Sequence, residues 1–160
     1  MDRARKLARE GKSPSTQAGE YVREEIEHIR EGKHGATSTK QAIAIGLSKA
    51  RRAGVRLHAP TKGTTSRATR RRAQRDLQRG RSWSTTSPRR ARATLRVLRR
   101  KPRSAASHVA LARQARASAR KRGPVARRTA ARKAVRTKGP RKRSQAARKA
   151  ARTRARASRR

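Results

Sequence analysis

Two pairs of residues in the first quarter of the chain have the types and spacing of chemical groups: Glu25 with His28, and Glu31 with His34, both reading Glu-x-x-His. On a helix this spacing stacks a carboxylate and an imidazole on one face, as in the metal sites of helical bundles. A complete site of that kind takes carboxylates from two further helices, and no further helix supplies one. His28 and His34 are therefore read as surface or turn residues, and no metal or other cofactor is expected. His58 falls in a linker, and His108 in a basic segment without an acidic partner. The "GKS" at 11–13 has the end of a phosphate-binding loop, but Lys6 stands where the loop needs its first glycine and no strand precedes it. The chain has no cysteine, so thiolate metal sites, disulfides and thiol nucleophiles are excluded. No nucleophile, base and orienting acid can be assembled, and the expectation is a protein that is not an enzyme.

The charge pattern says more. The 160 residues hold 50 Lys or Arg against eight Asp or Glu, a net charge of +42, with one Trp, one Tyr and no Phe. So little large apolar surface cannot offset the entropy of ordering the entire chain. The acid is gathered: residues 1–57 hold thirteen Lys or Arg and seven carboxylates, whereas 58–160 hold thirty-seven and only Asp76. Charge thus draws a boundary in "RLHAPTKGTTS", where Pro60, Gly63 and a hydroxyl cluster are linker chemistry. No apolar run approaches the roughly 18 residues of a membrane span, and the first residues lack the apolar centre of a secretory signal. A cytoplasmic protein without a membrane partner is expected.

Two helices can be argued before the boundary. Ser13 or Ser15 caps the first, Pro14 suits its first turn, and Ala18, Val22, Ile26 and Ile29 form an apolar stripe ended by "GKHG". In the second, Ser38 and Gln41 have capping-box spacing, Ile43, Leu47 and Ala50 share a face, and Gly54 followed by Val55 reads as a stop. The fold class is mainly α: a small helical hairpin, residues 1–57, then a linker at 58–66. Its core is marginal for its size, so a third segment, self-association or a protein partner is expected to support it. Glu20, Glu24, Glu27 and Glu31 line one side of the first helix as an acidic strip.

The stretch "GKSPSTQAGEYVREEIEHIREGKHGATSTKQAIAIGLSKARRAGV", about residues 11–55, closely resembles an uncharacterised bacterial family of small basic proteins. Its hallmark is a REGKHG turn followed by a KQAIAIGLSKARRAG helix. Such proteins carry the label of a domain of unknown function or, loosely, of DNA-binding proteins, so the resemblance implies no mechanism.

Beyond the linker, basic helical segments at 67–122 give way to a tail at 123–160 containing a repeat. "GPVARRTAARKAVRTK" at 123–138 aligns with "GPRKRSQAARKAARTR" at 139–154. Each copy opens on a Gly-Pro break and continues in helix formers, and like-charge repulsion is expected to leave the free tail disordered or partly helical. The tail is similar to linker-histone and protamine-like segments, though Arg outnumbers Lys about three to one along the chain. Arg makes bidentate phosphate contacts and enters narrow minor grooves.

The partner this implies is nucleic acid, DNA before RNA. The expected contacts come from Arg70, Arg71, Arg72, Arg89, Arg90, Arg99, Arg100, Arg127, Arg128, Arg132, Lys133, Arg141, Lys142, Arg143, Arg148 and Lys149. A histone-like, nucleoid-associated protein binding phosphates without sequence specificity is the leading reading, and an RNA- or ribosome-associated accessory protein is the alternative. "SPRR" at 87–90 resembles the Ser-Pro-basic turns of chromosomal proteins, or is a helix cap. Trp83 could stack on a base or dock on Leu95 and Leu98. The second helix, led by Thr37, Ser38, Thr39, Lys40 and Gln41, could enter a major groove; the better reading is a packing helix whose Lys49, Arg51 and Arg52 touch phosphates.

Overall fold

The computed structural model describes residues 2–82 and 87–157, with the side chains of Asp2, Lys138 and Ala157 left aside. The helices are α1 (Asp2–Arg9), α2 (Pro14–Arg30), α3 (Thr39–Arg52), α4 (Arg67–Arg81), α5 (Pro88–Arg99), a 3-10 turn (Ser104–Ala106) and α6 (His108–Ala157). The protein is mainly α, and all regular structure among the described residues is helical. It divides into two compact units, Met1–Gln114 and Ala115–Arg160.

In the first unit α2 and α3 form the expected pair, and their ends follow local chemistry. Ser13 accepts the amide of Thr16 with Pro14 behind it, and Ser38 accepts the amide of Gln41 at 3.2 Å. The Gln41 side chain returns to the Thr37 amide, one residue earlier than a capping box would place it. Both helices stop in the same way. Gly32 and Gly54 adopt φ of +80° and +88°, while the amides of Lys33 and Val55 reach back to the carbonyls of His28 and Ala50.

The buried faces are rotated from the apolar stripes. On α2 they are Ala18, Tyr21, Glu25 and Ile29, and on α3 Thr39, Ala42, Gly46, Ala50 and Arg51. Small residues let the two backbones approach closely, which places the larger Val22, Ile26, Ile43 and Leu47 at half-buried flanks.

The hairpin is not alone, and its supports come from both sides. α1 packs on α2, α4 on α3, and the 3-10 turn on both α2 and α3. Ala4, Ala18, Tyr21, Ala50 and Val55 make one apolar cluster; Ile29, Ala36, Ala42, Ala105 and Ala106 make a second. Arg30 donates to the Ala106 carbonyl at 2.9 Å and Thr39 to the Ala105 carbonyl at 2.7 Å. The amides of Gly35 and Ala36 donate to the carbonyls of Leu98 and Pro102. Asp76 of α4 accepts from Ser48 at 2.7 Å. The head drawn from charge at 1–57 therefore differs from the compact unit, which runs on to Gln114: segments too cationic to look like core contribute through alanines, carbonyls and a single carboxylate.

The second unit corrects one expectation. Expected to be disordered or partly helical, the described tail residues 123–157 are helical, with α6 interrupted at Gly123 and Gly139, each with positive φ (+73° and +66°) and each followed by proline. Ala, Arg and Lys are strong helix formers, and repulsion between exposed like charges costs only ~0.2–0.5 kcal/mol per pair, so propensity prevails. The sixteen-residue repeat is a repeat of structure as well. Thr137 donates to the Lys133 carbonyl and Thr153 to the Lys149 carbonyl, one repeat apart.

Candidate functional site

The expected phosphate contacts lie on three helices, α4, α5 and α6. Arg71 and Arg72 of α4 are exposed and Arg70 is half-buried; Arg89 and Arg90 open α5, and Arg99 and Arg100 close it, all four exposed. Arg127, Arg128, Arg132, Lys133, Arg141, Lys142, Arg143, Arg148 and Lys149 are exposed along α6. These last form the coherent set. Residues 115–160 contain 20 Lys or Arg and no Asp or Glu, so no side chain within that unit can neutralise them. Arg132, Lys133 and Arg136 border one surface groove with Thr129 and Thr137. Arg148, Lys149, Arg152 and Thr153 hold the matching positions of the next repeat.

Three cations of α3 are used differently. Lys49 pairs with Glu25, and Arg51 is buried with its guanidinium on the Leu57 carbonyl at 3.2 Å. Burial pushes the Arg51 pKa down, opposed by the charge of Asp76. Arg52 lies 3.9 Å from Asp76. The packing reading of α3 thus holds, but these three side chains bind the protein's own groups. At the start of α3, Thr39 is buried against the Ala105 carbonyl, while Thr37, Ser38 and Lys40 are exposed. Pro88, Arg89 and Arg90 are the first turn of α5, and Ser87 makes no side-chain cap bond, so the helix-start reading of "SPRR" is retained without its cap. Trp83 lies outside the described residues.

The acidic strip is partnered locally. Arg23 pairs with Glu20 at 2.8 Å and Lys33 with Glu31 at 2.8 Å, while Arg3 and Ala4 of α1 border the same surface as Glu20, Glu24 and Glu27. The Lys33 ammonium, hydrogen-bonded to Glu31, holds that carboxyl below its ordinary range.

One cluster was misread in the sequence. His34, expected as a surface or turn residue, lies in the turn between α2 and α3 but is only 8% exposed, and Glu25 is fully buried. The Nε2 atom of His34 lies 3.3 Å from Glu25 Oε1, joining the glutamate of one Glu-x-x-His pair to the histidine of the other. The turn between α2 and α3 brings them together. The usable signal was Glu25 itself, at helical spacing between Tyr21 and Ile29.

Residues 15–63 match a family of unknown function (DUF6496). This segment contains α2, α3, the turn between them and the Glu25–His34 contact. No curated protein and no solved structure matches the chain.

Proposed function

We propose that this chain is a non-enzymatic, histone-like protein that coats DNA through phosphate contacts and is associated with the nucleoid. The observation that carries the reading is the unneutralised charge of residues 115–160: 20 cations, no acidic residue, and exposed Arg and Lys on a helical scaffold.

Charge density supports a linear polyanion as partner. At ~1.5 Å rise per residue, the helical turns of residues 115–157, which carry all but Arg159 and Arg160 of these cations, add up to roughly 65 Å, or one cation in about 3.6 Å. One strand of duplex DNA carries a phosphate about every 3.4 Å. The helix therefore matches the phosphate line of one strand and can release its condensed counterions. Nothing in that match depends on base identity. Arg, with its planar fork, suits phosphate better than Lys does, which favours this reading over a general solubility surface.

The first unit has another part in this account. Lys49, Arg51 and Arg52 of α3 are held by Glu25, Asp76 and a backbone carbonyl and serve the fold, while the exposed arginines of α4 and α5 add to the cationic surface. Competition tests the reading. Full-length protein bound to a mixed-sequence duplex should resist an equal phosphate concentration of structured RNA and exchange freely among duplexes of different sequence. Displacement by RNA without the reverse would replace the reading with an RNA-associated role.

A further inference from the structure

Glu25 presents two carboxylate oxygens to different partners. Oε2 is held by the Lys49 ammonium. Oε1 is buried and accepts no aligned hydrogen bond, although His34 Nε2 is only 3.3 Å away. The other ring nitrogen explains the difficulty. His34 Nδ1 lies 3.2 Å from the Gly35 carbonyl, which can only accept, so Nδ1 carries the proton. The ring's Nε2 then faces the buried carboxylate oxygen without an aligned hydrogen bond. A buried carboxylate oxygen without an aligned donor, beside an imidazole nitrogen, offers two ligand atoms to a cation.

A third donor is in place. His28, one turn along α2 from Glu25, brings its ligand atom to within 4.8 Å of the other two. The rings of His28 and His34 meet edge to face, with centroids 6.5 Å apart. We propose that Glu25, His28 and His34 bind a divalent transition metal of the zinc class. Two imidazole nitrogens and one carboxylate oxygen form a borderline donor set that suits Zn²⁺ and Co²⁺ rather than the oxygen-seeking Ca²⁺ or Mg²⁺.

The dimensions agree. Bonds of ~2.0–2.1 Å to a tetrahedral ion separate its ligand atoms by about 3.3–3.4 Å. Glu25 Oε1 and His34 Nε2 already stand at that separation. Only His28, whose side chain is 27% exposed and whose Nε2 lies 3.9 Å from Glu24, must close in. The supporting bonds exist as well: the Gly35 carbonyl fixes the His34 ring, and Lys49 holds the far oxygen of Glu25. Water would complete the fourth position on the His28 side. Such a metal would pin the α2–α3 turn from within, and it adds a function to the head that does not depend on nucleic acid.

Cobalt is the probe. Full-length protein titrated with Co²⁺ at pH 7.5, without nucleic acid, should develop the visible d–d absorption of a four-coordinate site and saturate at one equivalent. Zn²⁺ should bleach that absorption. His28→Gln, which leaves the buried core intact, should weaken binding by at least about tenfold, as even loss of an outer-sphere partner does. A His58→Gln/His108→Gln double variant should bind as the parent does. No d–d band in the parent, or a band that survives in His28→Gln with unchanged affinity, overturns the site.

Discussion

Gly46 of α3 faces Val22 of α2 so closely that a Cβ added at position 46 would stand 2.6 Å from the Val22 Cα. The nearest atom belongs to backbone, which cannot rotate away. The two helices therefore owe their spacing to the absence of a side chain at this point. Gly46→Ala should destabilise the first unit by ~1–3 kcal/mol despite alanine's better helix propensity, because overpacking outweighs that gain. Urea unfolding followed by circular dichroism reads the difference. A stabilised variant would mean that the helices are not in this contact.

The supports of the hairpin give a second expectation. Ala105 and Ala106 close the second apolar cluster, and their carbonyls hold Thr39 and Arg30. A chain of residues 1–57 lacks these groups together with α4, and should show no cooperative thermal transition. A chain of residues 1–114 should melt cooperatively. Equal transitions in the two would return the folded unit to the boundary that charge suggests.

These contacts mark what could be read in the sequence. Caps and stops were legible because Ser13, Pro14, Ser38, Gly32 and Gly54 act locally. The repeat was legible because its Gly-Pro breaks recur at a fixed interval. The packing of α4 and the 3-10 turn was not, since those segments read as solvated cationic helix and bury only Ala73, Ala105 and Ala106. Glu25 was hidden for the opposite reason. A charged residue on a buried face looks like a surface residue until its partners, His34 and Lys49, are brought in from outside the helix.

The breaks in α6 should control its path. Gly123 and Gly139 combine positive φ with extended ψ, a region open essentially to glycine, and each precedes a proline that cannot donate to the preceding turn. Replacing Gly123 and Pro124 together by alanine should let the helix run through. Spin labels at positions 117 and 131 would then report a backbone separation near ~21 Å, the length of fourteen residues of straight helix. The parent should depart from that value. Identical distances in both proteins would show that the Gly-Pro step does not bend the helix.

The central claim is that phosphate contacts from α6 drive binding to duplex DNA. The most direct test is the salt dependence of affinity, measured for the parent and for a full-length variant with Arg127, Arg128, Arg132 and Lys133 changed to Gln. If about ten phosphates are neutralised, log affinity should fall against log salt with a slope near about −9, alike for duplexes of different sequence. The variant should lose roughly 3–4 from the magnitude of that slope, close to one for each cation removed. A parent slope near zero, or a variant slope equal to the parent's, would contradict the account.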